Sequence, residues 1–314
     1  MNSTDSTSAA LERNPLRALD DPATATFDAH RDLLFSLVYN MLGTVADTED
    51  VLQDTWLSWA SVSRGDIVNP RAYLVRIAVN RALRSLRESQ ARREKYVGTW
   101  LPEPVVTEGQ TEDSALRGES VSLAMMVVLE TLSPLERAVF VLREAFGYDY
   151  IEIATILDRT GDAVRQLAHR ARKRVQGRRP RYRFESKVVR DATERFMDAA
   201  LGADVGTLME ILAPDVQLWS DGGGKLRTAL RVIVGRDKFV RLAAATGPRL
   251  PAGLTHQYLE VNGAPAVLLS GQNRPWGVVA LELRPSDGRV QTIYNVINPD
   301  KLDSIILPTQ PDGP

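Results

Sequence analysis

No cysteine occurs among the 314 residues, which excludes disulfides, a thiol nucleophile and a thiolate metal site, and suits a reducing cytoplasm. Long apolar runs are missing too. Stretches such as Ala124 to Leu129 fall far short of the ~20 residues that a bilayer-crossing helix needs, so no membrane association is expected. The chain starts acidic and polar, without the basic start and apolar core of a secretion signal, and Met1 to about Thr26 are expected to be loose. Histidine is scarce at three residues, and net charge is nearly absent, at −1 from 39 basic and 40 acidic side chains. Whole-chain charge therefore points to no partner; its distribution has to.

That distribution is uneven. Residues 1 to 183 hold 25 basic side chains, of which eight lie in Arg71 to Lys95 and nine in Arg165 to Arg183. The second block contains no acidic residue. Most charge runs are solvated faces of ordinary bundles, but solubility does not require such segregation, whereas phosphate contact does. Two basic blocks imply two contacts with nucleic acid.

The second block sits in a helix-turn-helix pattern. Ser133, Pro134 and Glu136 supply a cap, a first-turn proline and a carboxylate three residues on, and Leu135, Ala138, Val139 and Leu142 share one helical face. A second helix carries Tyr150, Ile153, Ala154 and Leu157 at the same spacing and ends at Asp158-Arg159, where Asp tolerates a left-handed backbone. Thr160 caps a third helix. Val164, Leu167, Ala168, Ala171 and Val175 turn inward there, leaving Arg165, Gln166, His169, Arg170, Arg172 and Lys173 outward. A basic outer face on the helix after a tight turn is the geometry that enters a major groove.

Upstream, Phe27 to Leu42 reads as a helix closed by Gly43, and about Ala46 to Ala60 as another that buries Leu52, Trp56 and Trp59. The latter projects Asp47, Asp50 and Asp54, with Glu49 and Gln53 nearby, an acidic face that is either solvated or docks on a basic partner. Asn69 and Pro70 cap and start a long helix to about Gln90. Its polar residues Arg76, Asn80, Arg84 and Arg87, spaced by four, four and three, form one stripe. Guanidiniums in a row can follow a phosphate backbone, and an amide can read a base edge.

From Val97 to about Val121 the pattern dissolves into a linker, within which Trp100-Leu101-Pro102-Glu103-Pro104 is stiff enough to dock on something. Past Phe184, helices give way to strands, with hairpin signals at Asn262-Gly263 and Asp287-Gly288. The order implies an α+β domain with helices on one face of a curved antiparallel sheet.

Gly43 to Trp56, then Ile77-Ala78-Val79-Asn80, then the helix-turn-helix resemble the bacterial extracytoplasmic-function (ECF) sigma factors, in that family's order. Residues 184 to 310 resemble the SnoaL-like extension of one ECF subgroup, on Trp100 to Pro104, Asp221-Gly222-Gly223-Gly224-Lys225 and Asn298-Pro299-Asp300-Lys301-Leu302. Asp158 stands where the family commonly has glycine. The layout implied is a disordered N-terminus (1–26), sigma region 2 (27–95), a linker (96–121), sigma region 4 (122–183) and a SnoaL-like domain (184–314) with a loose tail from Asp303. The fold class implied is two all-α domains plus a C-terminal α+β domain.

By that resemblance Asp47, Asp50, Gln53, Asp54 and Leu57 dock on core RNA polymerase. Arg76, Asn80, Arg84 and Arg87 open and read the melted −10 element, and Arg165, Gln166, His169, Arg170 and Lys173 read the −35 duplex. The extension's two motifs are expected to meet Trp100, Leu101 and Pro102 at an interdomain contact and to replace a separate anti-sigma protein in a chain that is monomeric when free. No cofactor and no metal are implied.

Two other readings compete: a free-standing helix-turn-helix regulator whose SnoaL-like domain senses a ligand, and an enzyme with a DNA-binding leader. SnoaL-like cyclases resemble acid-base catalysts with paired His and Asp groups, and this domain offers only His256 with scattered acids such as Asp215 and Asp221. A phosphate-loop reading of Asp221 to Lys225 fails, since Trp219 and Leu226 occupy the positions where Gly and Ser or Thr are needed.

Overall fold

A computed structural model describes residues 22–62, 67–107, 121–177 and 184–305. Three helices open it: α1 (Pro22–Leu42), α2 (Val45–Ala60) and α3 (Pro70–Arg93). Residues 22 to 26, expected to be loose, form the first turns of α1, and Ala23 is buried, with its carbonyl accepting from the Trp59 indole N–H at 2.9 Å. The rest of the expected loose N-terminus lies outside the described residues. Asn69 caps α3 as read, its side chain accepting from the Ala72 N–H at 3.0 Å.

Four helices follow: α4 (Leu123–Leu129), α5 (Pro134–Phe140), α6 (Tyr150–Leu157) and α7 (Gly161–Gln176). Ser133 and Glu136 close a reciprocal capping box on α5, and Thr160 caps α7. A single π turn at Val141–Ala145 lengthens the exit of α5. Asp158 adopts the left-handed backbone its side chain tolerates, with φ +52°. The buried residues of α1–α3 and α4–α7 make one continuous core, so the two helical units are packed on each other.

The C-terminal domain consists of α8 (Ser186–Leu201), α9 (Val205–Ile211), β1 (Leu212–Asp221), β2 (Ile233–Val234), α10 (Arg236–Thr246), β3 (Thr255–Val261), β4 (Ala264–Gly271), β5 (Arg274–Leu283) and β6 (Val290–Val296). Strand order is β2-β1-β6-β5-β4-β3. The sheet is mixed rather than wholly antiparallel, because β1 and β6 run parallel. Only short turns dictate antiparallel pairing, and these two strands are joined through the whole intervening chain. Each face carries its own core: α8, α9 and α10 cover one, and Leu101 of the linker with Leu123 of α4 packs on the other. Asp303 to Ile305, expected to belong to a loose tail, are instead held, since Ile305 is buried and the Ser304 hydroxyl donates to Glu103 Oε1 at 2.7 Å; the rest of the expected tail lies outside the described residues.

Candidate nucleic-acid interface and interdomain clamp

On α7 the inward and outward faces fall as the periodicity required. Val164, Leu167, Ala168, Ala171 and Val175 are buried, and Arg165, Gln166, His169, Arg170 and Lys173 are exposed side by side. Arg172 departs from the outward set: it folds back half-buried to donate to Glu144 at 2.8 Å and to the Tyr150 hydroxyl at 2.7 Å, which fixes α7 to the preceding helices. Arg170 and Arg174 flank buried Glu136. Arg165, Gln166, His169 and Lys173 face solvent beside Arg170, and Arg165 pairs with neighbouring Asp162 at 2.5 Å.

Arg76, Asn80, Arg84 and Arg87 are exposed along α3 as one stripe. The Asn80 amide, however, is in use. Its Nδ2 donates to the Arg76 carbonyl at 2.8 Å and, across the boundary between the helical units, to the Ile156 carbonyl in the last turn of α6 at 2.9 Å. A helix C-terminal carbonyl lacks an intrahelical partner, so it is a ready acceptor for that amide. In this arrangement the amide has no donor left for a base edge.

The acidic helix presents Asp50, Gln53, Asp54 and Leu57 to solvent. Leu57 is 60 % exposed beside them. Asp47 does not belong to that open patch. It is half-buried, accepting from the Thr44 hydroxyl at 2.6 Å and from Arg92 at 3.1 Å, and so ties α2 to the end of α3.

The three motifs meet. Asp221 is fully buried at the end of β1, and its carboxylate accepts four bonds: from the Tyr96 hydroxyl at 2.6 Å, the Leu101 N–H at 2.9 Å, the Gly223 N–H at 3.0 Å and the Lys301 ammonium at 2.7 Å. Lys301 donates also to the Leu101 carbonyl and lies 4.3 Å from the centre of the Trp100 ring. Arg93 lies over the same ring at 3.6 Å. Each such cation–ring contact contributes ~0.5–2 kcal/mol. Burial lowers the Lys301 pKa, and the Asp221 carboxylate opposes that. Asn298 donates to the Tyr96 hydroxyl at 2.9 Å and accepts from the Asp300 N–H at 3.2 Å, with Pro299 starting the short turn that aims Lys301 inward. Lys225 pairs with Asp300 at the rim, and Leu302 is buried in the core beneath Leu101.

The glycines are there for close approach. Gly223 has φ +61°, and a Cβ on it would lie 2.5 Å from the Asn298 amide; a Cβ on Gly222 would meet the Leu226 carbonyl at 2.6 Å, and one on Gly224 would press Val97 at 3.1 Å. Pro102 is buried, and Glu103 holds the helical side: its N–H donates to the Gly43 carbonyl, while its carboxylate accepts from the Val45 N–H, both at 2.8 Å. Burial pushes the Glu103 carboxyl above the ordinary range, against hydrogen bonds from Val45 and Ser304.

Three contacts were absent from the sequence reading. The linker touches the C-terminal end of β3 through a single antiparallel bridge, with Val106 opposite Val261, the Thr107 N–H on the Glu260 carbonyl and the Asn262 N–H on the Val105 carbonyl. The Asn262-Gly263 turn makes the expected hairpin with both residues at positive φ, but Asn262 is also buried and donates to the Tyr39 hydroxyl of α1 at 2.7 Å. Finally, Arg137 is 1 % exposed between the helical units, bonded to Glu130 and, at 3.2 Å, to the Asn40 carbonyl, and Glu130 pairs also with Arg93. No local period marks any of these, because each joins elements far apart in the chain.

His256 is exposed on β3, edge-on to Tyr258 at 5.3 Å. Among the described residues no group of His, Asp and Glu is placed to hold a metal ion, and no helix is long and apolar enough to cross a membrane.

Residues 26–93 match the family model of Sigma-70 region 2, and residues 122–175 that of Sigma-70, region 4. The ECF RNA polymerase sigma factor SigJ of Mycobacterium tuberculosis is 37% identical over 287 residues, covering 88% of this chain and 92% of that protein. The probable ECF RNA polymerase sigma factor SigI of the same species is 31% identical over 293 residues, covering 91% and 96%. The crystal structure of SigJ is similar with a TM-score of 0.69 at 34% identity, over 88% of this chain and 97% of that one. With both helical regions matched and the likeness covering most of the chain, its SnoaL-like C-terminal domain included, the chain belongs to the ECF RNA polymerase sigma factors.

Proposed function

We propose that this sigma factor, which directs promoter-specific initiation by core RNA polymerase, is restrained in cis by its own SnoaL-like domain. The clamp around Asp221 and Lys301 fixes the linker to region 2 on one side and to the extension on the other. Region 4 is thereby kept against region 2, and the single observation that carries the reading is the Asn80 amide spent on the Ile156 carbonyl. Polymerase and promoter bind the opened arrangement better and draw the equilibrium towards it. Asp50, Gln53, Asp54 and Leu57, with Asp47 at their edge, dock on polymerase. Arg76, Asn80, Arg84 and Arg87 grip the melted −10 strand, where a basic track and an unstacked base need such groups, and Arg165, Gln166, His169, Arg170 and Lys173 read the −35 duplex.

The extension acts without catalysis: His256 lies exposed at the sheet edge rather than in an enclosed site. The factor works in the cytoplasm as a monomer before polymerase binds, without a separate anti-sigma protein. Run-off transcription with purified core polymerase on genomic fragments tests this. Full-length protein starts transcripts, Asp50→Arg starts none, and Asp221→Asn raises output. Undiminished transcription by Asp50→Arg sinks the docking face, and unchanged output from Asp221→Asn sinks restraint by the clamp. A chain that binds duplex DNA tightly yet never starts a transcript is the free-standing regulator instead.

A further inference from the structure

The sheet face turned towards region 4 is not filled. Between them lies a cavity of about 540 Å³, within the range of small-molecule sites. Its floor is two cross-strand rows. Gln217 and Glu282 are both register partners of Thr292 in one row, and Trp219 is the partner of Tyr294 in the next. Alternation along each strand sends these five side chains to the same face. Val127 and Val128 of α4 form the roof.

The polar groups of the floor surround one carboxylate. The Tyr294 hydroxyl donates to Glu282 Oε2 at 3.1 Å, and the Trp219 indole N–H is taken by Gln217 Oε1 at 3.1 Å. Three other enclosed carboxylates have a cation: Asp221 has Lys301, Glu130 has Arg93 and Arg137, and Glu136 has Arg174, while buried Glu103 is answered by the Val45 N–H and the Ser304 hydroxyl. Glu282 has no ion-pair partner among the described residues. Burial raises its pKa, opposed only by hydrogen bonds from Tyr294 and Thr292. A half-buried carboxylate in a cavity that also holds an indole and an apolar roof suits a weakly hydrated organic cation. It does not suit a metal ion, which needs several oxygen ligands or waters.

We propose that this cavity binds a small organic cation of the arylalkylammonium class, with the ammonium on Glu282 and the apolar part between Trp219 and the valines of α4. Because the site is shared by region 4 and the extension, its occupant reads how the two sit together. The site stands on its own geometry and does not depend on restraint by the clamp.

Benzylammonium is titrated into the full-length protein, following tryptophan fluorescence and the melting midpoint. Benzyl alcohol serves as neutral isostere, and sodium chloride as ionic control. The expected result is a saturable response to benzylammonium alone, weakened about tenfold or more in Glu282→Gln, since a hydrogen bond to a charged group contributes ~1.5–3 kcal/mol. Val128→Phe, which fills the cavity from the region 4 side, abolishes the response while leaving Glu282 in place. An absent or unsaturable response, an equal response to benzyl alcohol, or undiminished binding by either variant overturns the proposal.

Discussion

Asp221→Asn is the sharpest perturbation of the clamp, because it keeps the shape of the side chain and removes only its charge. Asp221 is 0% exposed and Lys301 6%, so the substitution leaves a buried ammonium facing a neutral amide. Breaking a buried pair from one side costs ~3–5 kcal/mol. Lys301 keeps the Leu101 carbonyl and the Trp100 ring, which puts the expected loss at the lower end, ~3 kcal/mol, or a shift of roughly a hundredfold in the ratio of docked to released linker. Amide hydrogen exchange reads that ratio directly. The Leu101 N–H, which donates to Asp221, should lose about a hundredfold protection, while Val279 in the middle of the sheet keeps its own. In Asp221→Asn with Lys301→Met no charge is left buried, and part of the protection returns. Leu101 exchange that stays at the wild-type rate, or that accelerates only in step with Val279, would refute the argument that this ion pair holds the linker down.

Two further outcomes follow from the same contact. Gly223→Ala places a Cβ against the Asn298 amide at a positive φ; the left-handed backbone alone costs ~1–2 kcal/mol, so the denaturant midpoint falls by at least that equivalent, and an unmoved midpoint contradicts the close approach. Glu103 has its carboxyl raised above 4.5 by burial in the docked state. The docked state therefore takes up a proton more readily than the released one, and docking strengthens as pH falls from neutral through the raised value, with no further gain below the ordinary carboxylate range. Protection around Val45 and Glu103, corrected for intrinsic exchange rates, measures this; Glu103→Gln flattens the dependence, and a gain on raising the pH contradicts it.

Local chemistry was legible. Ser133 with Glu136, Asn69 with Pro70, and Thr160 state their helix starts outright, and the inward set of α7 is fixed by period alone. The Asp149 and Glu152 capping box of α6 carries the same signature. The hairpin turn at Gln272-Asn273 carries none, because two non-glycine residues take positive φ there. Residue type suggested that Trp100 to Pro104 must dock, but not that Asn262 of a hairpin turn would reach Tyr39, or that Arg137 would be buried against Asn40. Such contacts depend on which finished surfaces meet, and neither periodicity nor capping carries that. The parallel pairing of β1 with β6 was hidden for the same reason.

The strip of linker at Val105 to Thr107 has a bearing on solubility. By bridging Val261 and bonding Glu260 and Asn262 it covers the C-terminal end of β3, an outer strand of the six-stranded sheet. Any opening that lifts the linker away uncovers a row of unpaired N–H and carbonyl groups, a template for strand addition between molecules. Release of the linker thus carries a hazard of self-association that grows with protein concentration, and a docked linker lowers it by covering that end of the edge.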